Sequence, residues 1–258
     1  MKLDNKVALI TGAGSGIGAA IAERFVDDGA KICIIGRRRK NLDDVASQFP
    51  SGVVKVFPGD ITKYEDVKAV VKATIGWGGK LDILVNNAAF NFEGGVVDID
   101  LDDWQKHLDT NLNAPLLLMR ETIPHMKELG GGSIVNIASL GGLRCLSGRV
   151  GYCTTKAALI MLTKQAALDY GRYKIRCNAV CPGFVLTDMT RGHFGEFGKG
   201  NLGPFKNLPL KRGAEPYEIP GICSYLASDD SRFMTGSVLR IDGGTAIVDV
   251  FDAGLQEE

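Results

Sequence analysis

The sequence has few of the residues from which metal centres and disulfide frameworks are built. Its 258 residues include three histidines, His107, His125 and His193, and six cysteines that form no Cys-x-x-Cys pair. Histidines this far apart in sequence argue against a dedicated metal site. The start of the chain, Met1–Lys6, is polar and shows no secretion signal. We therefore expect the cysteines to be reduced thiols in a cytoplasmic protein.

The sequence also lacks an excess of charge of either sign, since 30 Lys and Arg residues balance 30 Asp and Glu residues. Proteins that bind nucleic acids or membrane surfaces usually carry a basic excess or a basic face. No apolar run approaches the ~18 residues that a membrane-spanning helix needs. We therefore expect a small-molecule substrate, with no nucleic acid and no membrane among the partners.

What the sequence does contain is an alternation of short apolar runs with amphipathic segments. The runs Val7–Ile10 and Lys31–Ile35 are each followed by a helical pattern, and the alternation persists to Ser237–Ile241 without a repeat or a linker. Strands that alternate with helices are typical of a parallel sheet covered by helices. The pattern predicts one α/β domain over residues 1–258.

A glycine-rich segment joins the first predicted strand to the first predicted helix. Its spacing is Gly12-x-x-x-Gly16-x-Gly18. A turn of this kind directs free backbone N–H groups and the positive end of a helix dipole at a phosphate. The spacing departs from the common G-x-G-x-x-G fingerprint, because Ile17 stands where its last glycine is expected. Its place at the head of a βαβ unit favours phosphate binding over a simple tight turn.

Four basic residues follow the second predicted strand, about 18 positions beyond Gly18. In dinucleotide-binding units an acidic residue near this position holds the adenosine ribose, whereas an arginine accommodates a 2′-phosphate. The run Arg37–Lys40 contains no acidic residue. Arg37, and secondarily Arg38, therefore favour NADP(H), with NAD(H) also possible. The alternative is an ordinary solvated basic surface.

The residues with the clearest chemical potential lie between Ser139 and Lys156. Tyr152 and Lys156 are four residues apart in a segment with helical periodicity, so their side chains share a face. An ammonium near a phenol stabilises the phenolate, so we expect Lys156 to lower the pKa of Tyr152 from its usual value near ~10. Tyr152 is then a candidate general acid or base, and Ser139 can hydrogen-bond the same substrate oxygen. The spacing Tyr-x-x-x-Lys by itself also occurs by chance.

Several motifs in a fixed order make the chain similar to a known family. From Val7 to Gly244 it resembles the short-chain dehydrogenases/reductases (SDRs). This resemblance implies a single Rossmann-fold domain with a doubly wound, seven-stranded parallel sheet in the order 3-2-1-4-5-6-7. It also implies an NAD(P)-dependent oxidoreductase that interconverts a secondary alcohol and a ketone by hydride transfer. The motifs are Thr11-Gly12-x-x-x-Gly16-x-Gly18, Asp60, Asn86-Asn-Ala, Asn111, Ser139, Tyr152-x-x-x-Lys156 and Pro182-Gly183.

The same resemblance implies a role for individual residues. Tyr152 would be the acid/base, Lys156 would depress its pKa and hold the nicotinamide ribose, and Ser139 would orient the substrate oxygen. Asn111 would position a water that links Lys156 to solvent, which completes a catalytic tetrad. The implied cofactor contacts, besides Arg37, Arg38, Tyr152 and Lys156, are Gly12, Ser15, Ile17 and Gly18 at the pyrophosphate, Asp60 and Ile61 at the adenine, Asn87 and Ala88 at the adenosine-side ribose, and Pro182, Val185 and Thr187 on the nicotinamide side.

Two positions depart from the family pattern. Ala89 follows Asn-Asn-Ala where the family usually has glycine, which adds a methyl group beside the cofactor. Ser15 occupies a position where NADP-dependent members often have a basic residue, which weakens the inference from Arg37. NADP(H) remains the favoured cofactor.

The substrate is expected to be a hydrophobic ketone or secondary alcohol, because most predicted pocket residues are apolar. Arg144 and Arg149 could instead meet a carboxylate, a phosphate or a coenzyme A thioester, or lie on the surface. The resemblance further implies a homo-oligomer, a tetramer or a dimer. The predicted substrate contacts are Phe90, Leu140, Gly141, Arg144, Leu146, Phe184 and a glycine-rich flap at about 187–212.

Other interpretations remain open. The apolar alternation in the C-terminal tail, 246–258, suggests that the tail covers a neighbouring subunit or the mouth of the site. Within the same class, the chain could be a 3-oxoacyl thioester reductase acting on a carrier protein or coenzyme A. From another class, it could be a non-catalytic nucleotide-binding subunit, which would be expected to have lost part of the tetrad.

Overall fold

A computed structural model of the chain describes residues 1–190 and 205–248, and within them a seven-stranded parallel sheet forms the centre. The strands are β1 (Val7–Thr11), β2 (Lys31–Gly36), β3 (Val54–Pro58), β4 (Ile83–Asn86), β5 (Gly132–Ile137), β6 (Ile175–Pro182) and β7 (Val238–Ile241). Their order is β3-β2-β1-β4-β5-β6-β7. This confirms the predicted fold class and strand order.

Helices connect successive strands and cover both faces of the sheet. A π-helical turn, Asp109–Asn113, joins the fourth helix to the fifth. Such turns are rare and frequently lie at functional sites. The helices are α1 (Gly16–Asp27), α2 (Arg39–Ala46), α3 (Tyr64–Gly78), α4 (Leu101–Leu108), α5 (Ala114–Glu128), α6 (Val150–Tyr170) and α7 (Pro220–Ala227).

The core lies in two layers, one on each face of the sheet. All five residues of β1 are buried, as expected for a strand covered on both sides. On one face, Ile21 and Phe25 of α1 pack with residues of α2 and α7. On the other face, α3, α5 and α6 contribute, with Val67 and Leu118 among the buried residues. The buried face of α1 thus contains residues at a four-residue spacing, as an amphipathic helix requires.

The register of the sheet places the predicted site residues at one edge. Thr11 pairs with Ile35 across β1 and β2, while Asn86 pairs with Asn136 across β4 and β5. The carboxyl ends of the central strands are therefore level. The glycine-rich turn, Arg37, Asn87 and Ser139 follow these strand ends, where ligands bind in doubly wound sheets.

Parts of two predicted features lie outside the described residues, namely residues 191–204 of the flap and residues 249–258 of the tail. Within the described part of the flap, Phe205 is buried and packs edge-on against Phe184, with ring centroids 5.0 Å apart. None of the helices in the described residues is long and apolar enough to span a membrane. No group of three or more His, Cys, Asp or Glu side chains in residues 1–190 and 205–248 could hold a metal ion.

Candidate active site

A cavity of about 810 Å³ opens at the carboxyl ends of the strands. Its volume lies within the range of roughly 300–1,000 Å³ that is usual for ligand pockets. The turns after β1, β2, β3 and β4 line one part of it, and α6 lines another. The predicted site residues that line it are Gly12, Ser15, Ile17, Gly18, Arg37, Arg38, Asp60, Ile61, Asn87, Ala88, Phe90, Tyr152, Lys156 and Thr187.

The remaining predicted site residues do not line this cavity. Asn111 and Ser139 are buried beside residues that do, through contacts described below. Pro182 ends β6, and Val185 is buried. Of the predicted substrate contacts, Phe90 and the flap residues Thr187, Asp188 and Met189 line the cavity, whereas Leu140, Gly141, Arg144, Leu146 and Phe184 lie elsewhere.

The glycine-rich turn is pressed against the chain that follows β4. Gly12 has a φ of +66°, and a Cβ there would lie 2.8 Å from the Cα of Ala88. The Nδ2 of Asn87 donates to the carbonyls of Thr11 (2.9 Å) and Gly12 (3.2 Å). The backbone N–H groups of Asn87 and Ala88 both donate to the Thr11 hydroxyl at 3.0 Å. Gly12 is therefore required for contact between these two segments.

The first turn of α1 is suited to an anion. Ser15 precedes the helix but makes no capping hydrogen bond with its side chain. Gly14, Ser15, Gly16 and Ile17 all line the cavity. Uncapped N–H groups at the positive end of a helix dipole bind phosphate groups. This part of the cavity fits the pyrophosphate of a dinucleotide.

The basic run after β2 divides into two pairs with different surroundings. Arg39 forms an ion pair with Asp43 (3.1 Å), and Lys40 forms one with Asp44 (2.7 Å). Arg37 and Arg38 line the cavity, and within the described part of the chain their side chains form no ion pair or hydrogen bond. Two guanidinium groups at the cavity wall are thus available to a ligand phosphate.

Tyr152 and Lys156 meet on one face of α6, as their spacing predicted. Both line the cavity, and the Lys156 Nζ lies 5.7 Å from the centre of the Tyr152 ring. Lys156 is 2% exposed, and its Nζ donates to the carbonyl of Ile137 at 2.8 Å. The Ser139 hydroxyl accepts a hydrogen bond from the Gly141 N–H (3.0 Å). Ser139 also hydrogen-bonds the side chain of Tyr152.

The pKa of Tyr152 corrects one sequence-based expectation. Lys156 was expected to lower it, but in the structure burial raises the pKa of Tyr152, while the hydrogen bond with Ser139 opposes the rise. Burial also lowers the pKa of Lys156 to about 8. The physical reason is that burial removes water from both groups and penalises the charged form of each. Spacing along a helix indicates which side chains are neighbours but not how deeply they are buried.

Asn111 ties three segments together beside Tyr152 and Lys156. Its Oδ1 accepts a hydrogen bond from the Phe90 N–H (2.7 Å), and its Nδ2 donates to the Phe90 carbonyl (2.8 Å). The same Nδ2 donates to Thr155 Oγ1 at 3.1 Å. Asn111 lies in the π-helical turn, so that turn is connected both to α6 and to the segment after β4.

Arg144 and Arg149 have partners within the chain. The Arg144 guanidinium donates to the carbonyl of Thr245 at 2.9 Å. Arg149 pairs with Glu93 at 2.7 Å, and only 12% of its side chain is exposed. Arg149 is therefore a mostly buried, ion-paired side chain and not a free surface charge. Its partner is 56 residues away in sequence.

Some residues that line the cavity were not predicted from the sequence. They were missed because no motif marks them, although Lys106, Asp109 and Thr110 lie five, two and one residues before Asn111 on neighbouring turns. That helical spacing was the available signal. The missed residues include Asn41, Lys106, Asp109 and Thr110.

Comparisons with known proteins agree with this geometry. Residues 12–246 match the family model described as "Enoyl-(Acyl carrier protein) reductase". The chain is 39% identical to a trans-4-hydroxycyclohexanecarboxylate dehydrogenase from Sinomonas cyclohexanicum, over 94% of this chain and 93% of that protein. It is 35% identical to a meso-2,3-butanediol dehydrogenase from Serratia marcescens, over 96% of this chain and 98% of that protein.

The fold is also close to that of a solved relative. The crystal structure of a putative gluconate dehydrogenase from Agrobacterium tumefaciens aligns with a TM-score of 0.90 and 30% sequence identity, and the match covers 96% of this chain and 98% of that chain. Family model, relatives and fold thus agree over nearly the whole length. The chain belongs to the short-chain dehydrogenase/reductase family and is an NAD(P)-dependent oxidoreductase that acts on CH–OH groups.

Proposed function

We propose that this enzyme interconverts a hydrophobic ketone and its secondary alcohol, with Tyr152 as the acid/base and NADP(H) as the preferred cofactor. The observation that carries the proposal is the shared cavity. Tyr152 and Lys156 line the same cavity as the glycine-rich turn, Arg37 and Arg38. A phosphate-binding end and a proton-transferring end are therefore combined in one site.

The residues that line the cavity are suited to binding NADP(H). The start of α1 would hold the pyrophosphate, and Arg37 and Arg38 the 2′-phosphate. Asp60 would contact the adenine, with its Oδ1 fixed by hydrogen bonds from the N–H (3.0 Å) and hydroxyl (2.9 Å) of Thr62. When bound, the nicotinamide supplies or accepts the hydride.

Tyr152 would transfer the proton. Because burial raises its pKa, the phenol is neutral near pH 7 and can donate its proton to a carbonyl oxygen. Ser139, which hydrogen-bonds Tyr152, would orient the same oxygen. The pKa of Lys156, about 8, keeps its ammonium charged at neutral pH, so that it stabilises the phenolate left after proton transfer. The Ile137 carbonyl fixes the position of that ammonium.

Three observations support the substrate class. The internal partners of Arg144 and Arg149 weigh against these arginines as receptors for an anionic substrate. Phe90 contributes an apolar wall to the cavity. The named relatives act on secondary alcohols, one of which also carries a carboxylate, so they support the alcohol–ketone reaction and not the hydrophobic character of the substrate.

A second candidate is reduction of a 3-oxoacyl thioester on a carrier protein or coenzyme A. A relative from Thermotoga maritima, 34% identical over 96% of this chain and 100% of its own length, is described as a 3-oxoacyl-(acyl-carrier-protein) reductase, which favours including this candidate. The chemistry at Tyr152 would be the same, so the two candidates differ only in what surrounds the ketone.

We further propose a cytoplasmic homotetramer. The six cysteines are free thiols, which suits a reducing compartment. Strand β7 lies at an edge of the sheet, and nearby Phe233 is fully exposed. An exposed edge strand is commonly covered by another chain. Mass measurement by light scattering tests this part of the proposal, since a monomer would contradict it.

The experiment that tests the function is an assay of NADPH and NADH oxidation against cyclic, aromatic and aliphatic ketones and 3-oxoacyl thioesters. Replacing Tyr152 by phenylalanine should lower turnover by about 10²–10⁴-fold, because the proton donor is lost. NADPH affinity, measured by fluorescence titration, should change little.

Tyr170→Phe, at the other end of α6, is the matched control and should keep wild-type turnover. Wild-type turnover in Tyr152→Phe would refute the acid/base role. A wild-type protein that binds NADPH but reduces no ketone or thioester would instead favour the non-catalytic alternative.

A further inference from the structure

His107 is a buried histidine for which the mechanism above has no use. It lies on α4, four residues before Asn111, and its side chain is fully buried. Its Nδ1 lies 2.7 Å from the Asp103 carbonyl, and its Nε2 lies 3.2 Å from the Phe92 backbone nitrogen. A carbonyl can only accept and an N–H can only donate, so Nδ1 carries the proton and Nε2 is the acceptor. The two contacts therefore require a neutral imidazole.

His107 and Asn111 each fix the backbone of one phenylalanine through side-chain hydrogen bonds, His107 that of Phe92 and Asn111 that of Phe90. Asn111 holds the backbone of Phe90, and His107 holds the N–H of Phe92, two residues further along. Two residues further again, Gly94 is fixed by backbone hydrogen bonds with Gly148 (2.9 Å) and Val150 (3.2 Å). We call residues 90–94 the clamped segment. Every second residue of this segment, namely Phe90, Phe92 and Gly94, is thus fixed by hydrogen bonds to its backbone.

The His107 ring also connects the clamped segment to the helix that carries Tyr152. The rings of His107 and Phe90 pack edge to face, with centroids 4.8 Å apart, and Phe90 stacks on Phe92 with centroids 6.3 Å apart. On another side, His107 packs so closely against Gly151 that a Cβ there would lie 2.7 Å from Nδ1. Gly151 immediately precedes Tyr152. The histidine therefore lies between the apolar wall of the cavity and the start of α6.

We infer that His107 is a positioning residue that, by holding Phe92 and its stacked neighbour Phe90, keeps Phe90 in place as the wall of the substrate pocket next to Tyr152, and that it does so only as a neutral imidazole. This inference rests on the proposed function for its substrate and for the role of Tyr152. Protonation of Nε2 would set its N–H against the N–H of Phe92 and release the middle of the clamped segment. Binding of the ketone, more than binding of the cofactor, should then weaken.

Charged residues lie on each element that surrounds His107, and of these Asp103 and Arg149 act on its charge. Asp103 and Lys106 lie on α4 and form an ion pair (2.8 Å). Asp109 lies on the π-helical turn, Arg149 immediately precedes α6, and Glu93, in the clamped segment, pairs with Arg149. Burial is the largest cause of the lowered pKa of His107, the charge of Arg149 adds to it, and Asp103 opposes it. The neutral form therefore predominates at pH 7, as the two hydrogen bonds require.

The test compares His107→Gln and His107→Leu with the wild type. A glutamine amide can accept from the Phe92 N–H at every pH, whereas leucine leaves that N–H without its acceptor. The ratio of wild-type to His107→Gln kcat/KM for the ketone should fall progressively as the pH is lowered from 7.5 to 5. Because the ratio cancels groups that titrate in both proteins, it isolates position 107. In His107→Leu, KM for the ketone should rise roughly five-fold or more at pH 7.5, with a smaller change in kcat.

NADPH affinity and thermal unfolding of both variants show whether the fold and the cofactor site are intact. A pH-independent ratio for His107→Gln, or an unchanged KM in His107→Leu, overturns the inference. The Tyr152→Phe variant tests the proposed function separately. If Tyr152 is not the acid/base, that variant retains turnover, whatever the results for the two His107 variants.

Discussion

The two walls of the cavity, one after strands β1 to β3 and the other around α6, consist of different kinds of groups. The wall that follows β1 to β3 presents mainly backbone groups and open space, with glycines in the turn before α1 and two arginines after β2 whose side chains have no partner among the described residues. The wall around α6 is formed by Tyr152 and Lys156, and the buried polar side chains of Asn111 and Ser139 lie behind them. Binding a phosphate needs amides and room, whereas moving a proton needs groups whose charge is controlled by burial. Substitutions that add atoms should therefore impair the first wall most, whereas substitutions that remove polar side-chain groups should impair the second wall most.

The largest effect is expected on the α6 wall, at Lys156. Replacing it by methionine should lower turnover by about 10²-fold or more, because the charge that stabilises the phenolate is lost. At the same time the protein should become more stable by about 1–3 kcal/mol at pH 7, because a buried ammonium is removed. Urea unfolding checks the second part, with Lys164→Met, an exposed lysine on α6, as control.

The gain from Lys156→Met should depend on pH. Burial lowers the pKa of folded Lys156 from 10.5 to about 8, so the unfolded chain binds more protons between these values. Stability of the wild type from this group therefore rises from pH 8 towards pH 10.5. The increase in stability caused by Lys156→Met should be fully present below pH 8 and should become smaller above pH 8. An equal gain at pH 7 and pH 10 would contradict the assignment.

The glycine wall is tested by Gly12→Ala against Gly52→Ala. Both glycines have positive φ, +66° and +84°, but a Cβ on Gly52 meets nothing within 4 Å. The left-handed backbone should cost each variant about 1–2 kcal/mol of stability. Gly12→Ala should lose roughly a further 1–3 kcal/mol from overpacking against Ala88, and NADPH affinity with it.

Thermal unfolding and NADPH titration provide the measurements for the glycine pair. Equal stability losses in the two variants would mean that the turn does not depend on its contact with the segment after β4.

The smallest effect is expected for Arg37→Ala. It should weaken NADPH binding by about 1.5–3 kcal/mol, the usual contribution of a hydrogen bond to a charged group, and leave NADH binding nearly unchanged. Arg39→Ala is the matched control, because Arg39 is paired with Asp43 on α2. Titration of each variant with both cofactors gives the answer. If Arg37→Ala weakened NADPH and NADH binding equally, Arg37 would not be the residue that recognises the 2′-phosphate.

Much of this architecture could be predicted because it depends on local patterns. The alternation of apolar runs and helical patterns predicted the strands and helices, and the spacing of Tyr152 and Lys156 predicted their shared face. The order of the strands came from the family resemblance, since hydrophobic patterns do not specify which strands pair. The contribution of His107 could not be predicted, because its partners Phe92 and Gly151 are brought together only by the fold.

The sequence by itself determined the alternation of strands and helices, the glycine-rich turn and the identity of the polar residues at the strand ends. Tertiary structure alone decided the direction of the Tyr152 pKa, the pairing of Arg149 with Glu93 and the availability of Arg37. The physical reason is that periodicity and turn chemistry are set by neighbours along the chain. Burial and ion pairing are set by residues that are distant in sequence, and the strength of each depends on how much water the fold excludes.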